Sequence, residues 1–383
     1  MSEALRAAAS RLENWIRQDA LPLWQARGLV PELGLNYERL TPAGYPDLSA
    51  STRVRVQARQ AFFFALSYDR GWCPQGKDIA QGLLAFVDQR ARHPSAAGGY
   101  THLLDSQFNV VDIKQDLYDH AFFLLANAWC YRAFGDEAYL READALIAHL
   151  DTCFGSAEGG WLEGDYAYSC RRQNPHMHLF EAFLALYDAT GNAKYLARVG
   201  ELFALFQNRF FDAKQGVLFE FFNDDWSRLQ GAKGEIVEPG HMMEWVWLLD
   251  WYSRRSGRPV ARYVEQLYNR GLQLGMAPSG LLFDAVAADG RVLDANKRCW
   301  GITELIKASL VQIRMGNPAA EAIAIKAVDD LFQYYLCAST PGAYVDQRGA
   351  NDEVVMDMAP ASTLYHLIVA ATELSDHVNS AVA

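Results

Sequence analysis

A glycine followed by a hydrophobic residue recurs along the chain at similar intervals, and this repeat limits the possible folds more than any other feature. It occurs at Gly44-Tyr45, Gly99-Tyr100, Gly160-Trp161, Gly216-Val217, Gly280-Leu281 and Gly342-Ala343, at intervals of 55 to 64 residues. Each interval has room for two helices and a loop that contains a short hairpin. Because one such unit cannot bury its own apolar faces, the units must pack against one another.

The segments between these glycines have the pattern of buried helices. LYDHAFFLLANAWCYRAFG, MHLFEAFLALYDATG and MMEWVWLLDWYSRRSG are apolar over much of their circumference and end at glycine, as helices covered on most sides and capped by glycine do. Six helical hairpins can form an open solenoid or close into a ring. These repeats diverge strongly and lack polar end caps, which favours closure. We therefore predict an all-α (α/α)6 barrel of six helical hairpins, with short β-hairpins in the loops and residues 1–383 as a single domain.

Composition and charge exclude several classes of function. The net charge of −11 lacks the basic footprint that nucleic acid binding requires. The chain also lacks the apolar run of about eighteen residues that would indicate a membrane span. Its start has the pattern of an amphipathic helix, without the apolar segment of a signal peptide. The six cysteines form no C-x-x-C pair, so we expect free thiols in a cytoplasmic protein that is a monomer or a homodimer.

Three histidines lie at the same position within a repeat. His178 lies in NPHMHLFEAF, His241 in EPGHMMEW and His366 in MAPASTLYHL, and each follows a proline or glycine that can begin a helix. In a closed ring the starts of the inner helices share one mouth, so these side chains would converge on one pocket. Imidazole titrates near neutral pH, which suits it to general acid and base catalysis.

Carboxylates accompany two of these histidines at helical spacing. Glu181 follows His178 by three residues, and Glu244 follows His241 by three. Residues at i and i+3 share a helix face. Each glutamate is therefore predicted either to orient its imidazole or to bind a hydroxyl of the substrate.

Other candidate binding residues come from single segments. Trp300 and Glu304 in CWGITE are four residues apart and share a helix face. His120 in LYDHAFF is either a pocket residue or a buried, hydrogen-bonded one, and we include it with its neighbour Tyr118 among the candidates for substrate binding. These side chains would supply a stacking surface and hydrogen bonds to a small ligand.

The H-M-H sequence at residues 176–178 raises the possibility of a metal site. Alternate residues of a helix lie about 200° apart and cannot chelate one ion, and the segment that begins there is helical in pattern. We therefore predict neither a metal nor a cofactor.

Three arginines precede the apolar helix body in STRVRVQARQAFFFALSY: Arg53, Arg55 and Arg59. A buried arginine among aromatic residues could stabilise negative charge that develops on an oxygen. At least one of the three is expected to lie at a solvated helix start instead.

Five motifs occur in an order that resembles a known family. They are T-R-x-x-x-x-A-R from Thr52, N-x-H-M-H-x-x-E-A from Asn174, E-P-G-H-x-x-E-W from Glu238, W-x-x-x-E from Trp300, and Y-H at Tyr365. The chain is similar in this respect to the N-acylglucosamine 2-epimerase superfamily, which includes N-acylglucosamine and cellobiose 2-epimerases, D-mannose isomerases and sulfoquinovose isomerases. It resembles the D-mannose isomerase branch most.

The resemblance implies roles for matching residues. His241 and His366 match the acid/base histidines of the family, and Arg53 matches an arginine that contacts the reacting oxygens. The remaining matches are the sugar-contacting Asn174 and His178, the carboxylate Glu244 beside the first catalytic histidine, and the stacking and hydroxyl-binding pair Trp300 and Glu304. Cellobiose epimerases usually carry paired tryptophans where this chain has Cys299-Trp300, which weakens a disaccharide assignment.

The predicted reaction interconverts D-mannose and D-fructose through a cis-enediol. His366 is expected to move the proton between C2 and C1, His241 to serve the sugar oxygens, and Arg53 to favour the enediolate. Alternatives on the same fold are a sugar 2-epimerase, a sulfoquinovose isomerase and a non-catalytic binding protein. A glycoside hydrolase would need two carboxylates, for which the candidates are Asp165, Asp224, Asp225 and Glu238.

Overall fold

The computed structural model describes residues 2–95 and 98–380, and within them twelve principal helices alternate between an outer and an inner ring. The outer helices are α1 (Glu3–Asn14), α3 (Gly76–Arg90), α5 (Glu137–Phe154), α7 (Ala193–Leu205), α9 (Ala261–Gly275) and α11 (Ala320–Tyr334). The inner helices are α2 (Val54–Asp69), α4 (Leu117–Phe134), α6 (Gln173–Thr190), α8 (Pro239–Ser256), α10 (Cys299–Arg314) and α12 (Leu364–Ser380). The inner helices are buried over most of their residues, whereas the outer helices bury one face, because only the outer ring meets solvent.

The inner helices form a closed ring. Each packs against the next along the chain, and α12 packs against α2. The predicted (α/α)6 barrel is therefore confirmed, and the open solenoid is excluded. The two ends of the predicted single domain, residue 1 and residues 381–383, lie outside the described residues.

The sixth hairpin is built from the two ends of the described chain. Helix α1 packs against α12, so the first outer helix partners the last inner helix. Helix α1 continues through two π-helical segments, Trp15–Ala20 and Trp24–Gly28, which are joined by Leu21–Leu23. This pairing closes the outer ring as well, because α1 also packs against α11.

The six repeated glycines all follow an outer helix and have positive φ angles between 65° and 94°. This left-handed conformation favours glycine over residues that carry a Cβ atom. Gly342 shows a second constraint, since an added Cβ would lie 2.2 Å from the Asp19 carbonyl oxygen. The glycine repeat thus marks the turn from each outer helix towards the mouth of the barrel.

Short strands connect neighbouring loops around that mouth. Four pairs of strands cross between loops: Thr52–Arg53 with Leu103–Leu104, Arg171–Arg172 with Phe221–Phe222, Lys297–Arg298 with Gln347–Arg348, and Ala359–Pro360 with Arg39–Leu40. The remaining strands are Leu29–Val30, Leu35–Asn36, Val110–Asp112, Phe211–Asp212, Val217–Leu218, Ala285–Val286, Val292–Asp294 and Val354–Met356. Bridges Asp116–Gly164 and Val237–Val286 connect the other two neighbouring pairs of loops. Backbone pairing therefore forms a continuous collar that positions the starts of the inner helices.

The described residues agree with two further expectations. The six cysteines are free thiols. Among residues 2–95 and 98–380, no helix combines the length and apolar content needed to cross a bilayer.

Candidate active site

A cleft of about 240 Å³ opens at the mouth of the barrel, inside the collar. Its volume is below the range of about 300–1,000 Å³ that is common for pockets of drug-sized ligands, so it suits one small molecule. The lining side chains come from the first two turns of inner helices and from the strands before them: Arg53, Arg59, Tyr118, Asn174, His178, Glu238, His241, Glu244, Arg298, Trp300, Asp346, Pro360, Ser362, Thr363 and His366.

A ring of residues at one helical position lies at and just below the floor of the cleft. In helices α2, α4, α6, α8 and α10 this position is the sixth residue after the N-cap. In the last repeat it is the sixth residue after Pro360, which precedes the 3-10 turn that leads into α12. We call these residues the upper layer: Arg59, Phe122, His178, Glu244, Glu304 and His366. Three residues further along lies the lower layer: Phe62, Leu125, Glu181, Trp247, Lys307 and Val369. Residues at i and i+3 share a helix face, which explains why the two layers are stacked along the barrel axis.

His241 lies in an acidic environment at the side of the cleft. Its Nδ1 is 3.0 Å from Glu220 and 3.6 Å from Glu238. Burial lowers the pKa of His241, but the two carboxylates outweigh burial and raise this pKa to about 10. His241 is therefore a cation at neutral pH and can act as a proton donor.

His366 lies in the opposite electrostatic environment. Its Nδ1 is 2.8 Å from the Glu304 carboxylate. Burial, followed by the positive charges of Arg59 and Lys307, lowers the pKa of His366 well below the usual value for histidine. His366 is therefore neutral at neutral pH, and its Nε2 remains available as a base.

Trp300 lies between these two histidines. The centroid of its indole is 5.0 Å from that of the His241 ring and 5.6 Å from that of His366. The two imidazoles thus share one wall of the cleft, next to an aromatic surface suited to the C–H face of a small ligand.

The rest of the floor offers unsatisfied polar atoms. Among the described residues, neither carboxylate oxygen of Glu244 has a hydrogen-bond partner, and neither has the amide oxygen of Asn174. Burial and the nearby Glu304 raise the pKa of Glu244 well above its usual value. Buried polar groups normally have partners, so these atoms are positioned to bind a polar ligand.

Arg59 is the buried arginine that the sequence pattern indicated. Its guanidinium packs over Phe122 at 3.9 Å, and it donates hydrogen bonds to the Ser362 carbonyl oxygen and to Tyr118. Arg53 is more exposed and pairs with Glu38. Both guanidiniums line the cleft, so either can stabilise negative charge on a ligand oxygen.

Eight of the ten predicted site residues line the cleft: Arg53, Tyr118, Asn174, His178, His241, Glu244, Trp300 and His366. Glu304 lies beneath it, where its carboxylate contacts His366 and Lys307, so the expected hydroxyl-binding role does not follow from its position. Of the two alternatives for Glu244, the structure does not show orientation of His241, whose Nδ1 contacts Glu220 and Glu238 instead; binding of a substrate hydroxyl stays a prediction. Glu244 lies 3.9 Å from His178, which also contacts Glu181.

His120 does not reach the cleft, which corrects its inclusion among the binding residues. Its Nε2 accepts a hydrogen bond from the Tyr100 N–H, and its Nδ1 contacts the Asp116 carbonyl oxygen. His176 makes the equivalent contacts with Trp161 and Arg172 one repeat later. Both histidines brace the turn after a repeated glycine. They face away from the axis because they lie two residues before the upper layer.

Replacing His120 with Ala is expected to affect stability rather than catalysis. The buried Tyr100 N–H would lose its acceptor, which costs about 1–3 kcal/mol of the free energy of unfolding. Urea unfolding monitored by circular dichroism measures this loss, and kcat should remain unchanged. His93→Ala, at a partly exposed loop position, is the matched control. A large loss of kcat in folded His120→Ala would contradict the structural role.

Sequence reasoning missed several residues of the site. Glu220 lies in the loop between strands Val217–Leu218 and Phe221–Phe222, and its contact with helix α8 has no sequence signal. Glu238 lies three residues before His241, so helical spacing would have indicated this pair. Of the carboxylates that a hydrolase could use, Glu238 lines the cleft. Asp165 accepts a hydrogen bond from the Gln115 N–H, and Asp225 is exposed.

Three groups of side chains have ligand types that metals accept: His178 with Glu181 and Glu244, His241 with Glu220 and Glu238, and His366 with Glu244 and Glu304. In each group a glutamate already contacts the histidine Nδ1. His176 and His178 face different sides of helix α6, as the helical spacing predicted.

A larger cavity of about 380 Å³ lies at the opposite end of the barrel, among the C-terminal turns of the inner helices.

Comparisons with known proteins identify relatives of this chain. The sequence profile of the N-acylglucosamine 2-epimerase (GlcNAc 2-epimerase) family matches residues 36–370. A protein of Rhizobium meliloti (strain 1021) named mannose-6-phosphate isomerase is 33% identical, with 98% of this chain and 99% of that protein covered. A D-mannose isomerase of Thermobifida fusca is 28% identical, with 82% and 79% covered.

A solved structure shows the same fold. The crystal structure of a D-mannose isomerase superposes with a TM-score of 0.82 at 23% identity, with 98% of each chain covered. The family match spans most of the chain, including all five motifs. The chain therefore belongs to the N-acylglucosamine 2-epimerase family and, as its motifs indicated, resembles the D-mannose isomerase branch.

Proposed function

We propose that this protein is an aldose–ketose isomerase that interconverts D-mannose and D-fructose through a cis-enediol intermediate. The observation that carries this proposal is the pair of histidines in one cleft, of which His241 is a cation and His366 is neutral. Groups whose environments push their pKa values apart are suited to separate acid and base roles. Moving a proton between neighbouring sugar carbons requires both an acid and a base.

In the proposed mechanism His366 removes the proton from C2 through Nε2 and returns it to C1. During ring opening His241, as the cation, donates a proton to the ring oxygen and, as the neutral imidazole, takes the proton of the C1 hydroxyl. During enolisation it donates that proton to the C1 carbonyl oxygen, and it takes the proton of the C2 hydroxyl when C1 is protonated and the ketose forms. The guanidiniums of Arg53 and Arg59 stabilise the negative charge on the enediolate oxygens. Asn174, His178, Glu244 and Trp300 hold the sugar, with Tyr118 at the edge of the cleft.

The positions of the two histidines favour isomerisation over epimerisation. Epimerisation at C2 must deliver a proton to the face of the enediol opposite the base, so a proton donor would have to lie on that side. His241 and His366 instead share one wall of the cleft, with both rings close to Trp300. His366 on one face is sufficient for the isomerase reaction.

A phosphorylated mannose is the second candidate substrate, because one relative is named mannose-6-phosphate isomerase. The cleft offers little free positive charge for a phosphate group. Arg53, 33% exposed, pairs with Glu38, and Arg298, 39% exposed, contacts Asp284 and Glu238. The free sugar therefore suits the cleft better. A hydrolase has less support, since Glu238 is paired with His241.

The activity should remain constant over a wide pH range. It falls at low pH when His366 becomes protonated, at a pH below the usual histidine pKa of about 6.5, and at high pH when His241 loses its proton, near pH 10. Glu220→Gln removes the strongest charge that raises the pKa of His241, so the high-pH limb should move towards neutral pH. Profiles of kcat/KM measure this shift, with the exposed Glu235→Gln as control. If kcat/KM of Glu220→Gln falls at the same high pH as in the wild-type enzyme, the role of His241 as the acid is contradicted.

The substrate assignment is tested with purified enzyme that has been dialysed against a chelator. D-mannose and mannose 6-phosphate are supplied separately, and the products are separated by chromatography. We expect fructose from mannose at a higher kcat/KM than any product from the phosphate, with activity retained after chelation. Preference for the phosphate, or glucose as the first product from mannose, would contradict the assignment.

A further inference from the structure

Lys307 is buried in the barrel one layer below the proposed base, next to the glutamate that contacts this base. Its side chain is 0% exposed, and its Nζ lies 2.6 Å from Glu304 Oε2. The ammonium lies 3.7 Å from the centroid of the Trp247 ring. Its neighbours in the lower layer are Phe62, Leu125, Trp247 and Val369, together with Glu181, so apolar side chains surround the cation at its own level while its charged partners are buried glutamates.

Burial of this ammonium needs a reason beyond folding. Removing a charge from water costs free energy that one ion pair seldom restores in full, and an apolar residue of similar volume is often as stable. Methionine would fill the same space without this cost. The positive charge of Lys307 therefore has a role other than stabilising the packing around it.

The charge acts on Glu304, which connects Lys307 to His366. One carboxylate oxygen of Glu304 contacts the lysine, and the other lies 2.8 Å from His366 Nδ1. Burial raises the pKa of Glu304 above its usual value, and the Lys307 ammonium opposes that rise without cancelling it. Two further glutamates, Glu181 and Glu244, lie close enough to interact with Lys307. Without the lysine, Glu304 would be one of three buried carboxyls near the axis and would take up a proton.

The protonation state of Glu304 determines which nitrogen of His366 carries hydrogen. An ionised carboxylate can only accept, so Nδ1 must be the N–H and Nε2 keeps its lone pair in the cleft. A protonated carboxyl can donate to Nδ1, which moves the imidazole hydrogen to Nε2. In that tautomer the nitrogen in the cleft is a donor and cannot remove a proton from carbon.

We propose that Lys307 is a positioning residue that holds Glu304 as a carboxylate and thereby fixes His366 in the tautomer with a free lone pair on Nε2. The inference rests on the proposed role of His366 as the base. Lys307 itself lies one layer below the cleft and does not contact the sugar.

The decisive experiment replaces Lys307 with Met and follows both catalysis and the His366 ring. We expect kcat to fall on the order of 10²-fold or more, as for a base held in the wrong tautomer, with KM little changed. Part of the activity should return as the pH rises, because Glu304 ionises again. Lys307→Arg keeps the charge and should retain most activity, and Leu125→Met, at the same depth, is the packing control.

The spectroscopic measurement uses protein labelled with ¹⁵N histidine, with the His366 signals assigned by their loss in His366→Asn. Long-range ¹H–¹⁵N spectra at neutral pH should show hydrogen on Nδ1 in the wild-type protein and on Nε2 in Lys307→Met. Hydrogen on Nε2 in the wild-type protein would overturn the inference, even if the Met variant does not fold. Full activity of folded Lys307→Met would overturn it as well.

The role of His366 as the base and the role of Lys307 are tested by different outcomes. If His366→Asn retains full activity, the base assignment is wrong, and the inference fails with it. If His366→Asn is inactive while folded Lys307→Met keeps wild-type kcat and the wild-type tautomer, only the role of Lys307 is wrong.

Discussion

Replacing His366 with Asn is expected to lower kcat by about 10²–10⁴-fold or more, since a group that transfers a proton in the transition state contributes about that much. Asn can still accept a hydrogen bond but cannot take a proton from carbon. The neutral state of His366, its contact with Glu304 and its place in the cleft all support the base role. The measurement is steady-state kinetics with D-mannose, together with loss of the C2 hydrogen followed by NMR.

The control for this variant is His93→Asn, a histidine in a loop outside the cleft. Circular dichroism and thermal unfolding confirm that both variants are folded. If folded His366→Asn still exchanges the C2 hydrogen at the wild-type rate, another group removes the proton and the mechanism is wrong.

Replacing His241 with Asn is expected to cause a loss of similar size, for a different reason. The variant lacks the cation that protonates the sugar oxygens, so both ring opening and enolisation slow. The fall in activity near pH 10 should also disappear, because the group that titrates there is gone. If the residual activity of His241→Asn still falls near the same high pH as in the wild-type enzyme, another acid is responsible for that fall. The kcat/KM profile from neutral to alkaline pH is the measurement.

His241→Gln is a useful partner to this variant, because a longer amide can restore hydrogen bonding to Glu220 but not the proton. Both variants should be inactive if proton donation is the function of this side chain. Recovery of activity in His241→Gln would indicate that orientation of the sugar, rather than acid catalysis, is the task of residue 241.

The fold could be predicted from the sequence because its constraints are local and repeated. Each repeated glycine has positive φ, which the turn after an outer helix requires. The buried and amphipathic helix patterns then separate the inner ring from the outer ring. The pairing of α1 with α12 had no local signal, because it joins distant parts of the chain through packing alone.

Part of the site could be predicted because His178 and His366 lie at a common helical position, which Glu244 and Glu304 share. The prediction that His241 lies at the same position was wrong, because it is the third residue after its N-cap and His178 is the sixth. His120 was misplaced because the histidine that braces a turn and the histidine that faces the axis lie only two residues apart on a helix. The contact between Glu220 and His241 depends on how the loop that carries Glu220 packs beside α8, which helical spacing does not encode.

Time-resolved NMR of the wild-type enzyme with D-mannose in D2O tests the central claim most directly. If a neutral His366 and a cationic His241 act together on one face of the sugar, fructose forms first, and the C2 hydrogen of mannose is lost at the same rate. Formation of glucose before fructose, or turnover of mannose that leaves the C2 hydrogen in place, would contradict the account.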